Sequence, residues 1–110
     1  MARYLGWRSL SGECVVMVDG AALDQRLDLY SHSPTGFEWG YGGSGPAQLA
    51  LAILAHHLPN ANDALALHQE FKWSWVFFFG PTWEMTSAQI EAWVQRKRQQ
   101  IRSGYDARQN

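Results

Sequence analysis

Five glycines, Gly36, Gly40, Gly42, Gly43 and Gly45, fall within ten residues and make up half of the ten in the chain. Glycine permits positive φ and lets successive backbone N–H groups converge on an anion. A helix starting directly after such a turn adds partial positive charge. Gly42, Gly43, Ser44 and Gly45, followed by Pro46, are therefore candidate ligand-binding residues for a phosphate or carboxylate. Three features count against a cradle. No lysine follows the glycines and no dinucleotide-binding pattern is present, and Pro46 lacks one N–H donor. The plainer alternative is a tight turn that packs a helix closely on a sheet.

The other chemistry-bearing residues form no recognisable set. His56 and His57 are adjacent, and neighbours on a helix point about 100° apart, which ill suits a shared metal. His68 stands alone, and no zinc-type ligand spacing occurs. Ser33, Ser44 and Cys14 are scattered, and Gly43-Ser44-Gly45 lacks the spacing of a nucleophile elbow. Glu38, Glu70 and Glu84 are carboxylates without a visible partner. The expectation is a non-enzyme with no catalytic residue, metal or cofactor.

The aromatics carry more. Six tryptophans, Trp7, Trp39, Trp73, Trp75, Trp83 and Trp93, are many for 110 residues. Indoles bury large areas and want a partner for their N–H, so one or two are expected at the surface. Tryptophan beside arginine is the composition of an interface hot spot. Trp93 with Arg96, Lys97 and Arg98 is the first candidate protein interface, and Trp39 with Tyr41 is the second.

Charge divides along the chain. Residues 1–85 hold four cations against eight acids, a balance of −4, and residues 86–110 hold five against two, a balance of +3. Such asymmetry can mark a partner surface, although cations also suit a helix C-terminus. The net charge of −1 makes direct nucleic-acid binding unexpected, because neutralising phosphates takes clustered lysines and arginines. One cysteine, Cys14, permits no internal disulfide and points to a reducing, cytoplasmic compartment. It reads as a small buried hydrophobe. MARYLGWRSL reads as no signal peptide. The apolar stretch Ala47 to Leu58 is too short for a membrane span.

The elements follow from periodicity and punctuation. A length of 110 residues, 46% hydrophobic and 17% charged, predicts one globular domain over residues 1–110, frayed after about Ser103. Strands are predicted over Arg3–Arg8, Glu13–Asp19, Arg26–Tyr30, Phe37–Tyr41 and Trp73–Phe79, the last apolar on both faces and so buried. Gly20–Leu23 reads as a connector. A first helix runs from about Gly45 to His57, opened by Pro46 with Gln48 reaching back to its cap. It is apolar almost all round and should be the central core helix. A second helix spans about Asn62 to Lys72, with Leu65, Leu67, His68 and Phe71 inward. Thr86-Ser87-Ala88-Gln89 is a capping box for a third. The fold class is α+β, a small antiparallel sheet of four to five strands packed with three helices.

The run Gly43-Ser44-Gly45-Pro46-Ala47-Gln48-Leu49-Ala50-Leu51-Ala52-Ile53-Leu54, with Phe71-Lys72 and the Trp83–Trp93 region, resembles the hallmark of a small prokaryotic family of uncharacterised domains. The resemblance implies a setting among accessory proteins of phages, plasmids and their hosts. It assigns no residue a role. The leading expectation is a protein-binding factor from a mobile element with a host or phage protein partner, for instance an inhibitor of a host defence complex such as CRISPR–Cas. A small-ligand domain using the glycine turn is the alternative, and a self-associating homodimer is a third.

Overall fold

The computed structural model describes residues 1–109, with side chains through Gly104. β1 (Arg3–Arg8) and β2 (Cys14–Val18) form an antiparallel hairpin, with Tyr4 opposite Val18 and Arg8 opposite Cys14. The chain then turns at Asp19 (φ 50°) and Gly20 (φ 84°) into β3 (Ala21–Ala22). Two consecutive positive-φ residues joining antiparallel strands are the hairpin turn that an Asp-Gly pair favours, so the predicted connector is a short edge strand. β4 (Trp83–Thr86) pairs antiparallel with the other side of β1, giving the order β3-β2-β1-β4.

The helices are α1 (Ser44–His57), α2 (Ala61–Ser74) and α3 (Ser87–Gln109). Together with the four-stranded sheet they make the predicted α+β fold. Every residue of α1 from Gly45 to Leu54 is buried, as its nearly unbroken apolar surface required. α1 starts at Ser44, so Pro46 is its third residue, where a missing N–H still breaks no helical bond. Asn60 caps α2 by accepting from Asn62 N–H. Thr86 and Gln89 form the expected reciprocal box, with Thr86 N–H donating to Gln89 Oε1 (2.9 Å) and Gln89 N–H to Thr86 Oγ1 (3.3 Å). The predicted fraying after about Ser103 falls mostly on residues 105–110, whose side chains lie outside those described.

Three predicted strands are not strands. In Arg26–Tyr30, the Asp24 carboxylate accepts the Arg26 N–H at 2.8 Å, Arg26 takes φ 54°, and the Leu29 N–H donates to Arg26 O. An Asx-type turn has taken the backbone groups a ladder would use. Phe37–Tyr41 keeps its alternation, with Phe37 and Trp39 buried. It pairs with no strand, because Gly36 (φ 141°) and Gly40 (φ 86°) break the extended run at both ends. Trp73–Phe79 is the end of α2 followed by a 3₁₀ turn over Val76–Phe78. Its N–H groups bond locally, Trp75 to Phe71 O and Phe78 to Trp75 O, so strand propensity yields to continuation of the helix. Of residues 76–78 only Val76 is buried.

Candidate functional site

The glycine turn is a packing device in this fold. A Cβ on Gly42 would run into the Trp73 ring, one on Gly43 into the Tyr41 ring, and one on Gly45 into the Glu38 side chain. Gly43 is the N-cap of α1 and supplies no side-chain hydrogen bond. The space a Cβ would take at Gly42, Gly43 and Gly45 is thus filled by the chain's own side chains.

Gln48 does something other than cap its helix. It is fully buried and ties down the loop before the turn. Its Oε1 accepts from the N–H groups of His32 (2.7 Å) and Ser33 (3.0 Å), and its Nε2 donates to the carbonyls of Gln25 (2.7 Å) and Tyr30 (3.0 Å). All four hydrogen-bonding positions of the amide are used. The reach back to the cap does not form, because the loop backbone lies against α1 and claims the side chain.

The histidines pair across elements. Tyr4 Oη lies 2.6 Å from His56 Nδ1, and burial, with the charge of Asp19 second, pushes the Tyr4 hydroxyl up to about 12. His57 Nε2 lies 2.7 Å from Glu91 Oε1. His32 and His68 face each other with their Nε2 atoms 2.9 Å apart, and His68 Nδ1 is 2.7 Å from Leu65 O. If Nδ1 of His68 donates to that carbonyl, its Nε2 must accept, and His32 donates. Burial lowers the pKa of both, and nearby Lys72 adds to the effect, as does His68 for His32. Lowered histidine pKa values mean the unfolded chain binds protons first as pH falls. The contribution of this pair is therefore complete above the ordinary value of 6.5 and is lost as pH falls from there through the folded values. Urea melts at pH 7.5 and 5.5 are expected to show lower stability at 5.5, with a smaller difference in His32→Gln. Among the described residues no three His, Cys, Asp or Glu side chains gather as a metal site would require.

Cys14 is half-buried rather than buried. Its Sγ accepts from Arg8 Nη1 at 2.8 Å, and the same guanidinium holds both oxygens of Glu38 at 3.2 and 2.9 Å. Burial and then the Glu38 charge push the thiol up against the opposing pull of Arg8, so it is not an activated thiolate.

Two of the predicted interface tryptophans are inside. Trp39 is 2% exposed and Trp93 4%. Trp39 packs edge-on to Trp83 beneath the Arg8 guanidinium, and Trp93 edge-on to Phe71. Large apolar rings on the inward side of an extended segment and of α3 are worth more in the core than at a rim. The indoles that reach the surface are Trp7 and Trp73. Arg96 and Arg98 are exposed and Lys97 is partly so. Lys97 pairs with Glu70 at 2.6 Å and Arg98 with Asp63 at 3.4 Å.

Four exposed aromatics gather around the glycine turn, apart from Trp7 and Tyr30. Tyr41, Trp73, Phe77 and Phe78 are 48, 52, 37 and 73% exposed. Tyr41 lies against Gly43 and Trp73 against Gly42. The Trp73 and Phe77 centroids are 5.4 Å apart, those of Phe77 and Phe78 5.1 Å, and Lys72 Nζ sits 4.4 Å over Trp73. Only Tyr41 of this tract was legible as an interface residue, because Trp73–Phe79 reads as a buried strand. A second apolar surface lies on the outer face of the sheet, where Leu5 is opposite Met17 and Trp7 opposite Val15.

The DUF6166 family, a family of unknown function, matches residues 4–96. The chain belongs to this family. The match takes in the sheet from Tyr4 onward, the glycine turn, α1, α2 and the aromatic tract, so what is described above is the family's domain in this chain. No curated protein and no solved structure matches. Among the described residues no helix is long and apolar enough to cross a membrane.

Proposed function

We propose that this DUF6166 chain is a protein-binding factor whose contact surface is the aromatic tract Tyr41–Trp73–Phe77–Phe78. The observation that carries the reading is Phe78, 73% exposed in ring contact with Phe77 on a short 3₁₀ turn. Clustered exposed aromatics on a rigid support are disfavoured in water and mark binding surfaces. Trp and Tyr are also the residues over-represented among interface hot spots. In its finer form, the chain is a non-catalytic accessory factor of a phage or plasmid that occludes a surface of a host defence complex such as CRISPR–Cas. The resemblance of its glycine–proline–alanine–glutamine run to such accessory domains supports that form. The glycine turn, filled by Tyr41, Trp73 and Glu38, lends the small-ligand reading little support.

The test is affinity capture from a host lysate with two baits, the wild-type chain and Phe78→Ser. A stoichiometric protein held by the wild type and lost from Phe78→Ser is expected. Phe78 is exposed, so its replacement leaves the core intact, and an unchanged melting temperature checks this. Absence of any stoichiometric protein, or equal recovery by both baits, counts against the reading.

A further inference from the structure

A groove of about 430 Å³ opens beside the end of α2 and along α3, lined by Ser74, Trp75, Trp93, Arg96, Lys97 and Gln100. Among the described residues its only ionic side chains are cations. The charge of Lys97 is met within the chain by Glu70. Arg96 is exposed and makes no ion pair among the described residues. The C-terminal end of α2 draws on cations as well, since its last turn carries partial negative charge. That attraction acts at a distance and leaves the guanidinium fork without an acceptor among the described residues. A planar fork matches a carboxylate through two parallel hydrogen bonds, which a lysine cannot do. Glu70 and the α2 C-terminus oppose a dianion such as phosphate more strongly than a singly charged carboxylate. Trp75 is half-buried and offers an indole to whatever flanks that carboxylate.

We infer that this groove binds an acidic segment of a partner protein, with Arg96 holding one carboxylate bidentately, Trp75 packing on the neighbouring residue, and Ser74 and Gln100 hydrogen-bonding its backbone. The inference rests on the protein-binding reading and adds the partner's chemistry. It concerns a surface separate from Phe78, so the two can fail separately.

The test is a titration of the ¹⁵N-labelled full chain followed by NMR. Three probes are used: the blocked peptide acetyl-Gly-Asp-Phe-Glu-Gly-amide, its Asn/Gln counterpart, and inorganic phosphate. The acidic peptide is expected to shift the Trp75 indole N–H and the Arg96 Nε–H signals saturably, and the amide counterpart to leave them in place. Arg96→Gln is expected to weaken the acidic peptide at least tenfold while the rest of the spectrum stays put. No saturable shift below about 10 mM peptide, equal shifts from the amide peptide, or unaltered affinity in Arg96→Gln would overturn the assignment. Tighter binding of phosphate at the same signals would overturn it too, in favour of a phosphate site. Failure here alongside capture that depends on Phe78 removes the groove and leaves the protein-binding reading standing. Peptide binding without such capture keeps the groove and removes the aromatic tract.

Discussion

Gln48→Leu is expected to lower the free energy of unfolding by about 4 kcal/mol, because it strands two N–H groups and two carbonyls against an apolar side chain. Wild-type Gln48 is fully buried and satisfies His32, Ser33, Gln25 and Tyr30 at 2.7–3.0 Å. Leucine fills a similar volume, so the loss isolates the hydrogen bonds from cavity formation. Gln48→Glu is the informative companion. Its carboxylate would face the carbonyls of Gln25 and Tyr30, an acceptor against acceptors. Protonation gives it a donor, which raises its pKa in the folded state. A raised folded pKa means the variant recovers stability relative to wild type as pH falls and loses it again as pH rises. Urea titration at pH 7 and pH 4.5 measures both effects. A Gln48→Leu loss under about 1 kcal/mol would show that water replaces the amide and that the loop does not depend on it.

The second large effect is at Gly6. A Cβ there would fall within the Trp83 indole, against Cε2, Nε1 and Cζ2. Trp83 is only 6% exposed and has nowhere to go. It stacks on Phe79 at 4.2 Å and meets Trp39 edge-on at 5.8 Å. In a strand, glycine to alanine ordinarily stabilises by about 0.4–1 kcal/mol through the unfolded chain. Gly6→Ala is expected to reverse that sign and destabilise by about 3 kcal/mol. Adding Trp83→Leu should remove the clash, so the two changes are expected to couple by about 2 kcal/mol in a double-mutant cycle. Additive effects would mean that the sheet opens to accept the methyl group without involving Trp83.

These two residues show where the sequence was and was not readable. α1 was legible because ten consecutive buried positions leave no polar face to misplace. α3 was legible because a reciprocal cap marks its start. Gln48 was misread because side chain–backbone bonds to residues fifteen or more positions earlier leave no periodic trace. The aromatic tract was misread for a related reason. Trp73–Phe79 has strand composition, but its donors are used by the preceding turn of α2, and composition does not record which partner a backbone N–H chooses. β4 was missed because a strand of four residues between Pro81 and a capping box is too short to show alternation. Of the candidate site residues, Tyr41, Arg96, Lys97 and Arg98 lie at the surface to differing degrees. Trp39 and Trp93 were placed there on composition, which does not separate a core indole from an exposed one. The glycine turn drew attention as a possible ligand site through its backbone freedom; in the fold Gly42 and Gly43 admit the Trp73 and Tyr41 rings and Gly45 the Glu38 side chain.

The proposed contact surface is the exposed aromatic tract ending at Phe78. Isothermal titration of the purified captured partner against the wild-type chain and Phe78→Ser tests this most directly. A hot spot of about 2 kcal/mol or more predicts affinity at least thirtyfold weaker for Phe78→Ser, with the melting temperatures of the two chains the same. Equal affinities for the two chains would contradict it.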